Sequence, residues 1–137
     1  MKIDGGCHCG FLTYEAEIDP GRVLICHCTD CQVLSGSAFR VVVPVSEENF
    51  QMTSGAAKIY IKTADSGNQR EQGFCPDCGT QIYATSVGDQ AKIYGLRVGT
   101  CKQRDDLPPA SEIWCESRQT WVPKFDKLPN HAKQATY

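Results

Sequence analysis

The chain has 137 residues, 41% hydrophobic and 22% charged, with a formal net charge of −2. That length suits one domain whose core hides about two-thirds of the unfolded surface. No run of more than two like charges occurs, which argues against a nucleic-acid or acidic-membrane partner, and no segment offers the roughly 20 apolar residues that cross a bilayer.

The opening residues, Met1-Lys2-Ile3-Asp4, carry no apolar run, so no secretory leader is expected and a cytoplasmic address follows. Phe11 to Ile18 alternates, with Leu12, Tyr14, Ala16 and Ile18 on one face, and predicts a strand that turns at Asp19-Pro20-Gly21. Arg22 to His27 predicts a short second strand, and the β-branched run Ala38 to Val45 a buried one. Ser46 to Asn49 reads as a polar turn. Lys58 to Thr63 alternates, then a loop follows at Asp65 to Asn68. Gln81 to Thr85, Ala91 to Val98 and Glu112 to Glu116 complete the predicted strands, and Pro108-Pro109 excludes a helix between the last two. No repeat and no long helical period occurs, so the fold class is all-β, built mainly of antiparallel sheets. Residues 1–125 form the domain, and 126–137 a polar, loosely held tail.

Seven of the nine cysteines fall in three clusters: Cys7-His8-Cys9, Cys26-His27-Cys28-Thr29-Asp30-Cys31 and Cys75-Pro76-Asp77-Cys78. An odd count in a reducing compartment points to metal ligands, not disulfides. Cys75-x-x-Cys78 followed by Gly79 is a zinc-knuckle pattern. Cys7-x-Cys9, flanked by Gly6 and Gly10, is the distant pair that would complete a closed four-thiolate zinc. Such a site contributes directly to folding.

Cys26, Cys28 and Cys31 would wrap a second zinc with three ligands and an open fourth position, the arrangement of catalytic zinc. Three thiolates weaken the metal's acidity toward water but suit a soft fourth ligand, a thiolate from a small molecule. The matching chemistry is addition of a thiol to a small carbonyl, or the reverse cleavage. His27 is expected beside this site and His8 beside the first, neither as a ligand, and His131 in solvent. No general acid or base stands out; Asp30, His27 and Tyr83 are the candidates. Cys101 and Cys115 are expected as small buried hydrophobes. Trp114, Trp121, Tyr60, Tyr83 and Tyr94 are expected in the core or a pocket wall.

Gly6-Cys7-His8-Cys9-Gly10, the stretch Cys26 to Phe39, and Gly73-Phe74-Cys75-Pro76-Asp77-Cys78-Gly79-Thr80 resemble the glutathione-dependent formaldehyde-activating enzyme family, which includes the centromere protein V-like proteins. The late segment Ile113 to Trp121 fits as well. The resemblance implies an Mss4-like zinc-bound β fold. It also implies structural zinc on Cys7, Cys9, Cys75 and Cys78, and catalytic zinc on Cys26, Cys28 and Cys31. The implied activity is that of an S-(hydroxymethyl)glutathione synthase, a carbon–sulfur lyase joining glutathione to formaldehyde. Residues after the third ligand are often basic in this family; here they are Gln32 and Val33, which leaves Arg40, Arg70 and Arg97 to meet the carboxylates of a thiol such as glutathione. The alternatives are a non-catalytic binding module and a thiol-based redox or metal sensor.

Overall fold

The computed structural model describes residues 1–129 and 131–134. Among these, ten strands form two sheets. The smaller is antiparallel, in the order β1 (Lys2–Gly6), β2 (Thr13–Glu17), β5 (Phe50–Ser54). The larger has seven strands. It runs from β10 (Ser111–Ile113) through β3 (Leu24–Cys26), β4 (Arg40–Ser46), β9 (Ile93–Arg97), β8 (Gln81–Ser86) and β7 (Gln69–Phe74) to β6 (Lys58–Thr63). All its pairings are antiparallel except β10 with β3. One short helix, α1 (Thr29–Ser35), follows β3. No described helix is long and apolar enough to cross a membrane.

Alternation along the strands decides which faces meet. Ile3, Leu12, Tyr14, Ala16 and Ile18 from the small sheet's side join Val43, Val45, Ile82 and Leu96 of the large sheet in one buried cluster. Close packing fixes the glycines between them. A Cβ on Gly5 would lie 2.6 Å from the Tyr14 hydroxyl, and one on Gly73 2.4 Å from the Tyr83 ring. The other face of the large sheet carries a different set. Register places Cys26 opposite Arg40, Val42 opposite Arg97 and Gly95 opposite Ala84. It also places Gln72 opposite Ala84, and Arg70 opposite Lys62. Since side chains one strand step apart point to opposite faces, these residues share the surface turned away from the core.

The all-β expectation holds, and the strand at Lys58 to Thr63 has the predicted limits. Its burial differs from the alternation: Ile59, Tyr60 and Ile61 stay exposed because β6 is the edge strand. β1, β5, β7 and α1 are additions to the predicted set. The strand expected over Glu112 to Glu116 stops at Ile113, because Trp114 adopts left-handed backbone (φ 57°, ψ 41°) and starts a 3₁₀ turn over Cys115–Ser117. Cys115 is exposed and only Cys101 is buried, so the burial expected of both holds for one. Tyr60, Trp114 and Trp121 are exposed, whereas Tyr83 and Tyr94 pack against the core. The expected 126–137 tail extends partly outside the described residues; its start belongs to exposed 3₁₀ turns over Val122–Lys127.

Candidate metal centres

Strand ends build the first cluster. The chain leaves β1 at Gly6 and turns at Gly10 (φ 86°), where Gly10 N–H donates to the Cys7 carbonyl. It leaves β7 at Phe74 and turns at Gly79 (φ 78°), whose N–H donates to the Cys75 carbonyl. The His8 N–H reaches the Thr80 hydroxyl at 3.1 Å and ties the two loops together. The four sulfurs of Cys7, Cys9, Cys75 and Cys78 then lie within 4.8 Å of one another, with Cys7–Cys9 at 3.6 Å and Cys9–Cys75 at 3.7 Å. Tetrahedral zinc with bonds of 2.3 Å sets sulfurs about 3.8 Å apart, so the donor set fits that ion. Polar hydrogens face the sulfurs: Leu12 N–H donates to Cys7 Sγ at 3.1 Å, and Thr80 Oγ1 lies 3.2 Å from Cys78 Sγ. The Thr80 contact holds the Cys78 thiol down at about 5.

The second cluster stands at a helix start. Cys26 ends β3, and Cys28 is the N-cap of α1, its sulfur accepting from the Cys31 N–H at 3.2 Å. The Cys28-x-x-Cys31 spacing is therefore also a helix cap, in which a thiol sulfur accepts from the backbone N–H three residues on. The sulfurs of Cys26, Cys28 and Cys31 lie within 4.8 Å of one another, and no fourth Cys, His or carboxylate joins them among the described residues. The three thiols interact through shared protons. The hydrogen bond with Cys31 holds Cys26 below its ordinary value; the same bond, with burial, pushes Cys31 up. A divalent cation would replace those protons.

His27 is wholly buried beside the trio. Its Nε2 meets Glu112 Oε1 at 2.8 Å and its ring abuts Phe39, so it anchors the trio to β10. His8 and His131 are exposed. Of the candidates for proton transfer, Asp30 borders the site but is bound to Lys62 Nζ at 2.6 Å. Tyr83 lies on the opposite, core-facing side of the sheet, against Phe50 and Tyr94.

Cys26 and Cys31 of the trio line a cavity of about 280 Å³ over the outward face of the large sheet. Arg40, Arg97, Arg70 and Gln72 line it, and Lys62, Ile113 and Trp114 stand around it. Arg40 and Arg97 are 6% and 9% exposed. Arg40 donates to Gln81 Oε1 at 2.7 Å and Arg97 to Gln72 Oε1 at 2.8 Å. Neither has a carboxylate partner among the described residues, and the buried Arg97 Nε has no acceptor. Burial, with the neighbouring Arg40, lowers Arg97 to about 9, which leaves it cationic at neutral pH. Three arginines without acidic partners among the described residues give the cavity a cationic lining beside the thiol cluster. The arginines were named from sequence. The glutamine supports carry no such signal, because only strand register brings them to the arginines, whereas Trp114 stands in the pocket wall, one of the two places expected for it.

The sequence profile described as "Glutathione-dependent formaldehyde-activating enzyme" matches residues 2–117. A protein of Schizosaccharomyces pombe named "Uncharacterized lyase" is 24% identical over 82 residues, 60% of this chain and 56% of that one. The chain thus spans little more than half the length of that relative. A crystal structure of a Rhodobacter sphaeroides protein superimposes with a TM-score of 0.61 at 18% identity, over 80% of this chain and 98% of the other. At that identity the likeness is one of fold.

Proposed function

We propose that this chain, which belongs to the glutathione-dependent formaldehyde-activating enzyme family, is a lyase that joins a small carboxylate-bearing thiol, glutathione foremost, to formaldehyde or a similar aldehyde, and reverses the step. The observation that carries the proposal is the convergence of three sulfurs, two of which, Cys26 and Cys31, line an arginine-lined cavity. Cys26, Cys28 and Cys31 would hold a zinc ion, and the four-cysteine cluster a second, structural one. When bound at the trio, zinc supplies a soft acceptor that keeps a thiol anionic yet nucleophilic.

The rest of the work falls to the chain. Arg97 and Arg70 meet the carboxylates of the thiol, and their positions on adjoining strand ladders fix its direction in the cavity. Gln72 and Gln81 keep two guanidiniums aimed without neutralising them. Ile113 and Trp114 narrow the cavity and reduce water near the sulfur. The thiol gives up its proton to water, its sulfur forms the bond to the carbonyl carbon, the π pair moves to oxygen, and that oxygen takes a proton back from water. The reverse step returns the proton and releases thiol and aldehyde.

The test is exchange NMR of glutathione with formaldehyde, with and without zinc-loaded protein. Native protein should accelerate exchange and Cys31→Ser should not. Equal rates for the two proteins would refute the assignment.

A further inference from the structure

The thiol trio has a charge problem that the cavity floor answers. Three thiolates and one divalent cation leave one net negative charge, and a thiolate arriving as fourth ligand makes it two. Placing two negative charges in a half-buried site is costly unless a fixed cation stands close by. Arg40 stands there. It is the cross-strand neighbour of Cys26, on the same face, 6% exposed, with no acidic partner among the described residues. Its guanidinium is held by the neutral Gln81 and so keeps its full charge. Directly opposite strand positions have Cβ atoms about 5 Å apart. No cavity-lining carboxylate competes, since Asp30 is taken by Lys62.

We infer that Arg40 is the built-in counter-charge of the trio: it makes the open position accept an anionic ligand, and it does so without touching the ligand's carboxylates. This rests on the trio being the thiol site proposed above, and it deepens that reading. It divides the labour among three arginines that would otherwise look equivalent. Arg97 and Arg70 recognise the body of the substrate, whereas Arg40 sets the charge state that the metal site tolerates. Arg40 is a positioning residue in this sense, acting through electrostatics on the bound sulfur. A unit charge within about 10 Å, at an effective dielectric near 20, shifts an equilibrium by roughly tenfold or more.

The experiment measures binding and needs no turnover. Protein carrying cobalt at both clusters is titrated with three probes, followed by its visible spectrum: 2-mercaptoethanol (a thiol without carboxylate), 3-mercaptopropionate and neutral imidazole. Arg40→Gln should weaken both thiols about tenfold or more, by a similar factor, and leave imidazole affinity nearly unchanged. Arg40→Lys should recover most of the loss. The four-cysteine spectrum serves as the internal check that Arg40→Gln is folded. Loss confined to 3-mercaptopropionate would overturn the inference by making Arg40 a carboxylate reader. Equal loss for imidazole would overturn it by making the effect structural. Unchanged thiol affinity in Arg40→Gln would overturn it alone, whereas native protein that takes up no thiol would overturn the thiol-site reading and the inference with it.

Discussion

The two cysteine clusters are made of the same atoms and are built in opposite ways. Cys7, Cys9, Cys75 and Cys78 come from loops that leave β1 and β7, one in each sheet, so closing the set clamps the two sheets together. Cys26, Cys28 and Cys31 come from one six-residue stretch, so closing them joins nothing distant. The first has four sulfurs, a complete tetrahedral set. The second has three, and two of them, Cys26 and Cys31, line the cavity that Arg40, Arg70 and Arg97 also line. Reach in sequence decides which cluster a fold depends on, and the number of ligands decides which is left free to react.

The sharpest way to break the comparison is Cys75→Ser. Its sulfur is fully buried, and structural zinc sites in small domains are worth on the order of 10 kcal/mol. Loss of cooperative melting, or a fall of tens of degrees by circular dichroism, is expected. Cys31→Ser should do the converse: one metal equivalent lost, thiol-aldehyde exchange down at least about a hundredfold, and little change in melting. If Cys31→Ser unfolded the protein and Cys75→Ser did not, the assignment of roles would be reversed.

Smaller effects sharpen the picture of what the clamp supports. Gly73→Ala inserts a methyl into the Tyr83 ring, and overpacking of this kind costs about 1–3 kcal/mol. A lowered melting temperature is expected, with partial recovery in Gly73→Ala/Tyr83→Leu. The least effect belongs to Asp4, which bonds Lys102 and Gln103 and so ties β1 to the segment after β9. The Lys102 contact first, then Gln103, holds the Asp4 carboxyl below its ordinary value. Its contribution is therefore present above the unfolded value, about 3.9, and is lost as pH falls through the lower folded value. Asp4→Asn should melt slightly earlier than native at pH 7, with the gap narrowing below about pH 4.

The convergence of both sulfur sets could be read from the chain because the Cys-x-Cys and Cys-x-x-Cys spacings are local. The all-β class could be read because Leu12, Tyr14, Ala16 and Ile18 alternate over a long enough run. Other features carry no local signal. β7 reads Gln-Arg-Glu-Gln-Gly-Phe, polar on both faces, because one of its faces lines the cavity with Arg70 and Gln72. α1 spans seven residues, too few to show a helical period, and its cap is a thiol where a hydroxyl or carboxylate is usual. Tyr83 reads as a proton-transfer candidate because sequence does not reveal which face of β8 it occupies. Arg40, Arg70 and Arg97 could be named one at a time, but their shared face follows from a register that crosses β4, β9, β8 and β7.

The central claim is that one cluster is closed and the other open to a thiol. Zinc X-ray absorption on the fully loaded protein, before and after glutathione, tests it directly. With four sulfurs in one set and three in the other, the average sulfur count per zinc should rise from about three and a half to four. An average that stays unchanged in saturating glutathione would contradict the account.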